Sequence, residues 1–234
     1  KVFGVKSKIL GPEEVCGLYS GINSEGILGA LYIEKDGQTN PIDTTMALAK
    51  GAQSRGARII ESAKVDRILT DSSKVCGVTV GEERIKCRKV ILTGGLWSRD
   101  IAASLDVHLP MYACEHYYAL FESVEGLTAE LPVLRDYDAC TYYKYDAGKL
   151  LIGAFEPIAK PWGMSGIPED FCFDEIPGDF EHFEPVLQNA LKRLPALENA
   201  GIAKFFCGPE SFTPDNRYHL GEAPEVSNCF VAAG

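Results

Sequence analysis

The apolar positions change rhythm several times along the chain. Phe180, Phe183, Leu187, Ala190, Leu191 and Leu194 recur at helical spacing. They predict an amphipathic helix from Asp179 to Leu194, ended by Pro195. A second helix start stands at Asn40-Pro41-Ile42-Asp43. Asn can cap, Pro suits the first helical position, and Asp is favoured at the positive end of the helix dipole. That helix carries Met46 to Ala52 and stops near Arg55-Gly56, with Gly56 just past its end. Pro12-Glu13-Glu14-Val15 predicts a shorter helix, and Ser98 to Leu105 another.

Other stretches read as strands. Val65 to Thr70, Val75 to Val80 and Arg84 to Cys87 are separated by Asp71-Ser72-Ser73 and Gly81-Glu82-Glu83, which predicts a β-meander. Gly26 to Ile33 and Lys89 to Thr93 are apolar strands, the second stopped by Gly94-Gly95. Arg58 to Glu61 is expected to run parallel to a later strand. Met111 to Glu122, Thr141 to Tyr145 and Leu150 to Phe155 make residues 111–157 strand-rich. Lys160 to Pro177 reads as a long loop, and two or three short strands, one of them Cys229 to Ala232, finish the chain. The pattern predicts an α+β fold of two interleaved parts.

Composition narrows the function. Hydrophobic residues make up 46% and charged residues 24% of 234 positions, which is ordinary for a chain with a packed core. No apolar run reaches the roughly 20 residues of a membrane helix, and Lys1 to Lys6 is too charged for a secretory signal. A net charge of -10 without a basic stripe argues against nucleic acid as a partner. The eight cysteines include no C-x-x-C, and no N-x-[ST] sequon occurs. Neighbours such as Phe171 and Phe173 around Cys172, or Phe206 before Cys207, suggest buried free thiols and a reducing compartment. Gly163-Met164-Ser165-Gly166-Ile167 has Ile where a nucleophile elbow needs its second glycine, so a serine hydrolase is excluded.

Several segments in order resemble the D-amino-acid-oxidase superfamily, and within it the sarcosine and dimethylglycine dehydrogenase branch. These are Gly37 to Asp43 running into Ala47 to Ala52 and Arg55-Gly56-Ala57, Ile91 to Ser98, Leu131 to Asp136 followed by Tyr142-Tyr143, Gly208 to Asp215 with Leu220-Gly221-Glu222, and Phe230 to Gly234. The resemblance covers essentially the whole chain. It implies an antiparallel or mixed substrate-domain sheet with flanking helices, built from residues 1–39 and 106–212. It also implies a partial, glutathione-reductase-like FAD-binding α/β domain from residues 40–105 and 213–234. The family opens with a strand, G-x-G-x-x-G and a helix that hold the FAD pyrophosphate. That fingerprint does not occur here, so the sequence is expected to be a central portion.

The resemblance also proposes site residues, each beside a plainer reading. His116 would look into the substrate cavity; otherwise it is a strand histidine satisfied by a neighbour. A metal role for Cys114 and His116 lacks further ligands. Tyr142 and Tyr143 alternate on a strand, so only one can face the cavity, and the branch pattern chooses Tyr142. An aromatic wall there suits a methylated amine through cation–π attraction. Val65 would offer its backbone to adenine, or is an ordinary strand valine. Gly94 and Gly95 would let the backbone approach the flavin with Trp97 alongside, or simply end a strand. Asp215 would lie near the flavin ring, and is also a Pro-Asp-Asn turn residue. Gly234 opens the second cofactor loop. His182 is expected on the helix surface, and His108 and His219 have no catalytic context.

The implied activity is oxidation of an N-methylated amino acid such as sarcosine or dimethylglycine by hydride transfer to FAD. A carrier flavoprotein would receive the electrons and tetrahydrofolate would capture the one-carbon unit. The location would be a bacterial cytoplasm or the mitochondrial matrix. The alternatives are a non-catalytic protein resembling the regulatory subunit of pyruvate dehydrogenase phosphatase, which Ala113 to His116 and Asp179 to Pro185 also fit, or an inert fragment.

Overall fold

The computed structural model describes residues 3–234. Strand β1 (Lys8–Leu10) leads into α1 (Pro12–Leu18), and β2 (Ala30–Tyr32) returns antiparallel to β1. Helix α2 (Pro41–Gln53) starts where Asn40 Oδ1 accepts hydrogen bonds from the amides of Ile42 at 3.0 Å and Asp43 at 3.1 Å. It closes with Ala57 N–H donating to Ala52 O and Gly56 N–H donating to Gln53 O, while Gly56 turns through a φ of +92°. Those two bonds and the left-handed glycine make a Schellman ending.

Next comes the antiparallel meander β3 (Arg67–Asp71), β4 (Lys74–Val80) and β5 (Glu83–Lys86). Strand β6 (Val90–Leu92) runs through a 3-10 turn, Gly95–Trp97, into α3 (Ser98–Ala103). Then follow β7 (Tyr112–Phe121), β8 (Leu134–Asp136), β9 (Thr141–Asp146), β10 (Lys149–Ala154) and the two-residue β11 (Pro161–Trp162). Helix α4 (Phe180–Arg193) precedes β12 (Ile202–Phe212), β13 (His219–Glu222) and β14 (Cys229–Ala233). Strands β7, β10, β9 and β8 are successive antiparallel neighbours, and β12 pairs with β7. Strand β14 lies between antiparallel β13 and parallel β6. The fold is the mixed α and β type expected, with an antiparallel sheet and a smaller sheet that contains the parallel pair.

The chain divides into two compact units. One comprises residues 1–44, 116–159 and 175–208, the other 45–115, 160–174 and 209–234. In the first, α4 packs on β9 and β10. Asp179 caps α4 by accepting from the His182 amide at 3.0 Å, with Lys192 and Arg193 at the negative end. Phe183, Val186, Ala190 and Leu194 go inside with Tyr117, Phe121, Tyr143, Leu150 and Ile152. Arg193 fastens the end of the helix: Nε donates to Asp136 at 2.8 Å and Nη1 to Asn23 O at 2.5 Å. In the second unit Ile68, Val75, Leu92, Ala102, Val107, Val226 and Val231 form the core.

Several expectations need correction. Arg58 to Glu61 is not a strand: all four residues are exposed and none enters a β-pair among the described residues. The strand in Gly26 to Ile33 shortens to Ala30–Tyr32. The last strands are not all short, since β12 has 11 residues. On α4 the buried face runs through Val186 rather than Leu187, and Phe180 is exposed. His182 is not a surface residue but half-buried, its ring 5.5 Å from that of Tyr117. Cys172 and Phe173 are exposed, whereas Cys207 is buried. All eight cysteines are free. The 160–177 segment includes β11 and is fastened to α3: Arg99 Nη2 donates to Met164 O at 3.1 Å, and the Ile167 amide donates to Asp100.

Candidate functional site

The register of four strands places Arg135, Tyr142, Gly153 and Tyr118 opposite one another in a single row. Side chains alternate along strands, so this row and His116 lie on one face, while Tyr117, Tyr143 and Ile152 lie on the other, buried with α4. At about 4.8 Å between strands the row spans roughly 14 Å. The alternation puts Tyr142 on this face and Tyr143 on the buried one. Burial pushes the Tyr143 hydroxyl up to about 12, against the Thr141 hydroxyl that donates to it at 3.1 Å.

Gly153 shapes the face. A Cβ built on it would sit 1.9 Å from Tyr142 Cζ, so the ring of Tyr142 lies directly over β10 in space that only a glycine leaves. From there the ring reaches Phe155, with centroids 5.7 Å apart. Phe155 is the hub. The Arg135 guanidinium lies 4.7 Å from its centroid and 6.0 Å from that of Tyr142, and the His116 ring is 5.3 Å away. Next to Phe155, Glu156 has a side chain only 5% exposed, with Oε2 3.6 Å from His116 Nδ1. Glu156 Oε1 is buried and has no hydrogen-bond partner among the described residues. Further along the row Tyr118 stacks on Phe206 at 4.6 Å. Burial raises the Tyr118 hydroxyl above its ordinary value, partly offset by Lys204.

The second unit gathers most of the other candidates. Parallel pairing matches Cys229 with Val90, Phe230 with Ile91 and Val231 with Leu92. The chain beyond each strand therefore brings Gly94, Gly95 and Gly234 to the carboxyl ends of two adjacent parallel strands, where α/β sheets bind ligands. Gly95 has φ +55° and open space where a side chain would stand. A Cβ on Gly94 would touch Ser98 Oγ at 3.4 Å, and that buried hydroxyl has no partner among the described residues. A Cβ on Gly234 would sit 2.8 Å from Thr213 Cγ2, which puts the 213–217 turn alongside. There Asp215 Oδ1 accepts from the Arg217 amide at 3.1 Å, so the turn reading of Asp215 holds. Trp97 ends the 3-10 turn and is 40% exposed. Val65 stands apart at the mouth of the meander, 39% exposed, and makes no hydrogen bond among the described residues. Glycines against parallel strand ends, an orphaned hydroxyl and a free backbone segment fit a cofactor held by main-chain contacts.

A family model described as FAD dependent oxidoreductase matches residues 1–234. The chain belongs to this family. It is 41% identical over 231 residues to 4-methylaminobutanoate oxidase (formaldehyde-forming) of Paenarthrobacter nicotinovorans, covering 99% of the chain and 28% of that protein. It is 35% identical over 239 residues to human mitochondrial sarcosine dehydrogenase, covering 100% of the chain and 26% of the relative. It is 33% identical over 236 residues to the mouse mitochondrial pyruvate dehydrogenase phosphatase regulatory subunit, covering 100% and 27%. The chain thus spans about a quarter of the length of these relatives. Among solved structures, L-proline dehydrogenase from P. horikoshii superposes with a TM-score of 0.84 at 22% identity, over 100% of this chain and 60% of that one, which supports the fold.

Of the residues named from the sequence of this FAD dependent oxidoreductase chain, His116 and Tyr142 share one sheet face. Gly94, Gly95, Gly234 and the Asp215 turn converge at one pair of strand ends. Sequence reasoning assigned no role to Arg135, Gly153, Phe155 or Glu156. A glycine in mid-strand and an acid directly after an apolar strand were the available signals.

Proposed function

We propose that this chain is the central part of an enzyme that oxidises an N-methylated amino acid, of the sarcosine, dimethylglycine or 4-methylaminobutanoate type. The observation that carries the reading is the face on which Tyr142, Phe155, Arg135 and the His116–Glu156 pair meet. Aromatic rings attract a methylated ammonium. His116 is the base: its imidazole takes a proton from the ammonium and leaves the nitrogen lone pair that the reaction needs. Tyr142 walls the pocket and offers its hydroxyl to the substrate. Bound FAD supplies the acceptor for a hydride leaving the methyl carbon. Water adds to the resulting iminium, giving formaldehyde and the demethylated amino acid, or tetrahydrofolate captures the one-carbon unit.

Gly94, Gly95, Trp97, Gly234, Asp215 and Val65 are the residues proposed to hold FAD, with Ser98 Oγ as a further donor. Residues 1–39 and 106–212 are assigned to substrate and residues 40–105 and 213–234 to cofactor. An electron-carrier flavoprotein and a location in a bacterial cytoplasm or the mitochondrial matrix belong to the same proposal.

Similarity to the phosphatase regulatory subunit favours a second reading, a flavoprotein-like regulator without turnover. Product analysis separates the two. The FAD-loaded protein, supplied with an electron acceptor and each of the three amines, is expected to release formaldehyde in proportion to amine consumed. A regulator releases none.

A further inference from the structure

We propose that Glu156 receives the ammonium group of the substrate through Oε1, and that Arg135 on the other flank of Phe155 receives its carboxylate. This deepens the amine-oxidising reading and rests on it. A carboxylate 5% exposed with one oxygen unpartnered is expensive to bury. Among the described residues its one ion-pair neighbour is His116, at 3.6 Å from Oε2, which leaves Oε1 unspent. Other cations of the same unit are paired elsewhere: Lys144 with Asp146, Lys149 with Glu122, Arg193 with Asp136 and Lys204 with Glu175. A cation arriving from outside completes the site. It would arrive beside the rings of Phe155 and Tyr142, which favour a desolvated, methyl-bearing ammonium over sodium or potassium.

Arg135 supplies the opposite pole. Its guanidinium rests on Phe155 and near Tyr142, and has no acidic partner among the described residues. Stacking by its plane leaves the N–H edge available for a bidentate carboxylate. Arg135 and the His116–Glu156 pair flank the same ring, so the frame takes a molecule charged at both ends and disfavours one charged at a single end.

The test uses three ligands on the FAD-loaded protein, read by calorimetry: dimethylamine with the cation alone, methoxyacetate with the anion alone, and 4-methylaminobutanoate as the amino acid with both. Glu156→Gln is expected to weaken dimethylamine and the amino acid about 10- to 100-fold and to leave methoxyacetate unchanged. Arg135→Met is expected to weaken methoxyacetate and the amino acid by a similar factor and to leave dimethylamine unchanged. In the unaltered protein dimethylamine and methoxyacetate should bind together without competing, a result that needs no variant to fold. Loss of both ligands in either variant, loss of neither, failure of both to bind, or mutual competition overturns the frame. Binding in the expected pattern with no amine turned over would instead sink the proposed reaction and leave the frame standing.

Discussion

Gly153→Ala tests the packing on which the site depends. The added Cβ would lie 1.9 Å from Tyr142 Cζ and 2.1 Å from its hydroxyl oxygen, where carbon contacts need about 3.5 Å or more. The ring must leave β10. Overpacking of this kind costs about 1–3 kcal/mol, and losing the Tyr142–Phe155 contact adds about 0.5–1.5 kcal/mol. Alanine in a strand recovers about 0.5–1 kcal/mol relative to glycine. The net expectation is a loss of about 1–3 kcal/mol, or roughly 2–12 °C in Tm for a chain of this size. The decisive arm is Tyr142→Ala. With the ring gone, Gly153→Ala should become neutral or stabilising by up to about 1 kcal/mol. Urea unfolding of the four members of this double-mutant cycle should therefore give a coupling of about 2 kcal/mol or more. An equal effect of Gly153→Ala in both backgrounds would refute the placement of Tyr142 and, with it, the aromatic floor of the site.

Three further outcomes follow from the same geometry. The Tyr143 hydroxyl is raised to about 12 in the folded protein, so the unfolded chain ionises first; its share of the stability should be full below pH 10 and fall by roughly 2–3 kcal/mol as pH rises towards 12, and because burial raises Tyr19 as well, Tyr143→Phe should reduce the alkaline loss by about that amount without abolishing it in unfolding measured against pH. Arg193→Met strands the largely buried Asp136 carboxylate and frees the carbonyls of Asn23 and Glu25, so chemical denaturation should show a loss of roughly 3 kcal/mol. Asn40→Ala removes the acceptor for two amides at the start of α2 and should lower stability by about 1 kcal/mol in the same assay, whereas Asn40→Asp should not.

What was legible in the sequence was what is local. The starts of α2 and α4 are written in their capping residues, and the meander in its turns, because each depends on neighbours a few residues away. Strict alternation requires Tyr142 and Tyr143 to part to opposite faces, but which of them faces which side came from the family pattern and not from spacing. Arg58 to Glu61 failed because a strand exists only with a partner, and β-propensity says nothing about whether one is present. On α4, spacing from Phe183 permits either Val186 or Leu187 inside, and the sheet beneath the helix decides. The row from Arg135 to Tyr118 depends on the register of three strand pairs, which no short motif specifies. Glu156 and Phe155 acquire meaning only through that register. The gathering of Gly94, Gly95 and Gly234 likewise needs β6 and β14 to lie side by side across more than 130 intervening positions.

The central claim is tested most directly by the visible spectrum of the protein after FAD is added and the excess removed, then again on anaerobic addition of sarcosine, dimethylglycine or 4-methylaminobutanoate. The account predicts a retained flavin band that bleaches with at least one of the three amines, and bleaching that slows at least tenfold in His116→Ala. A retained band that none of them changes would contradict it.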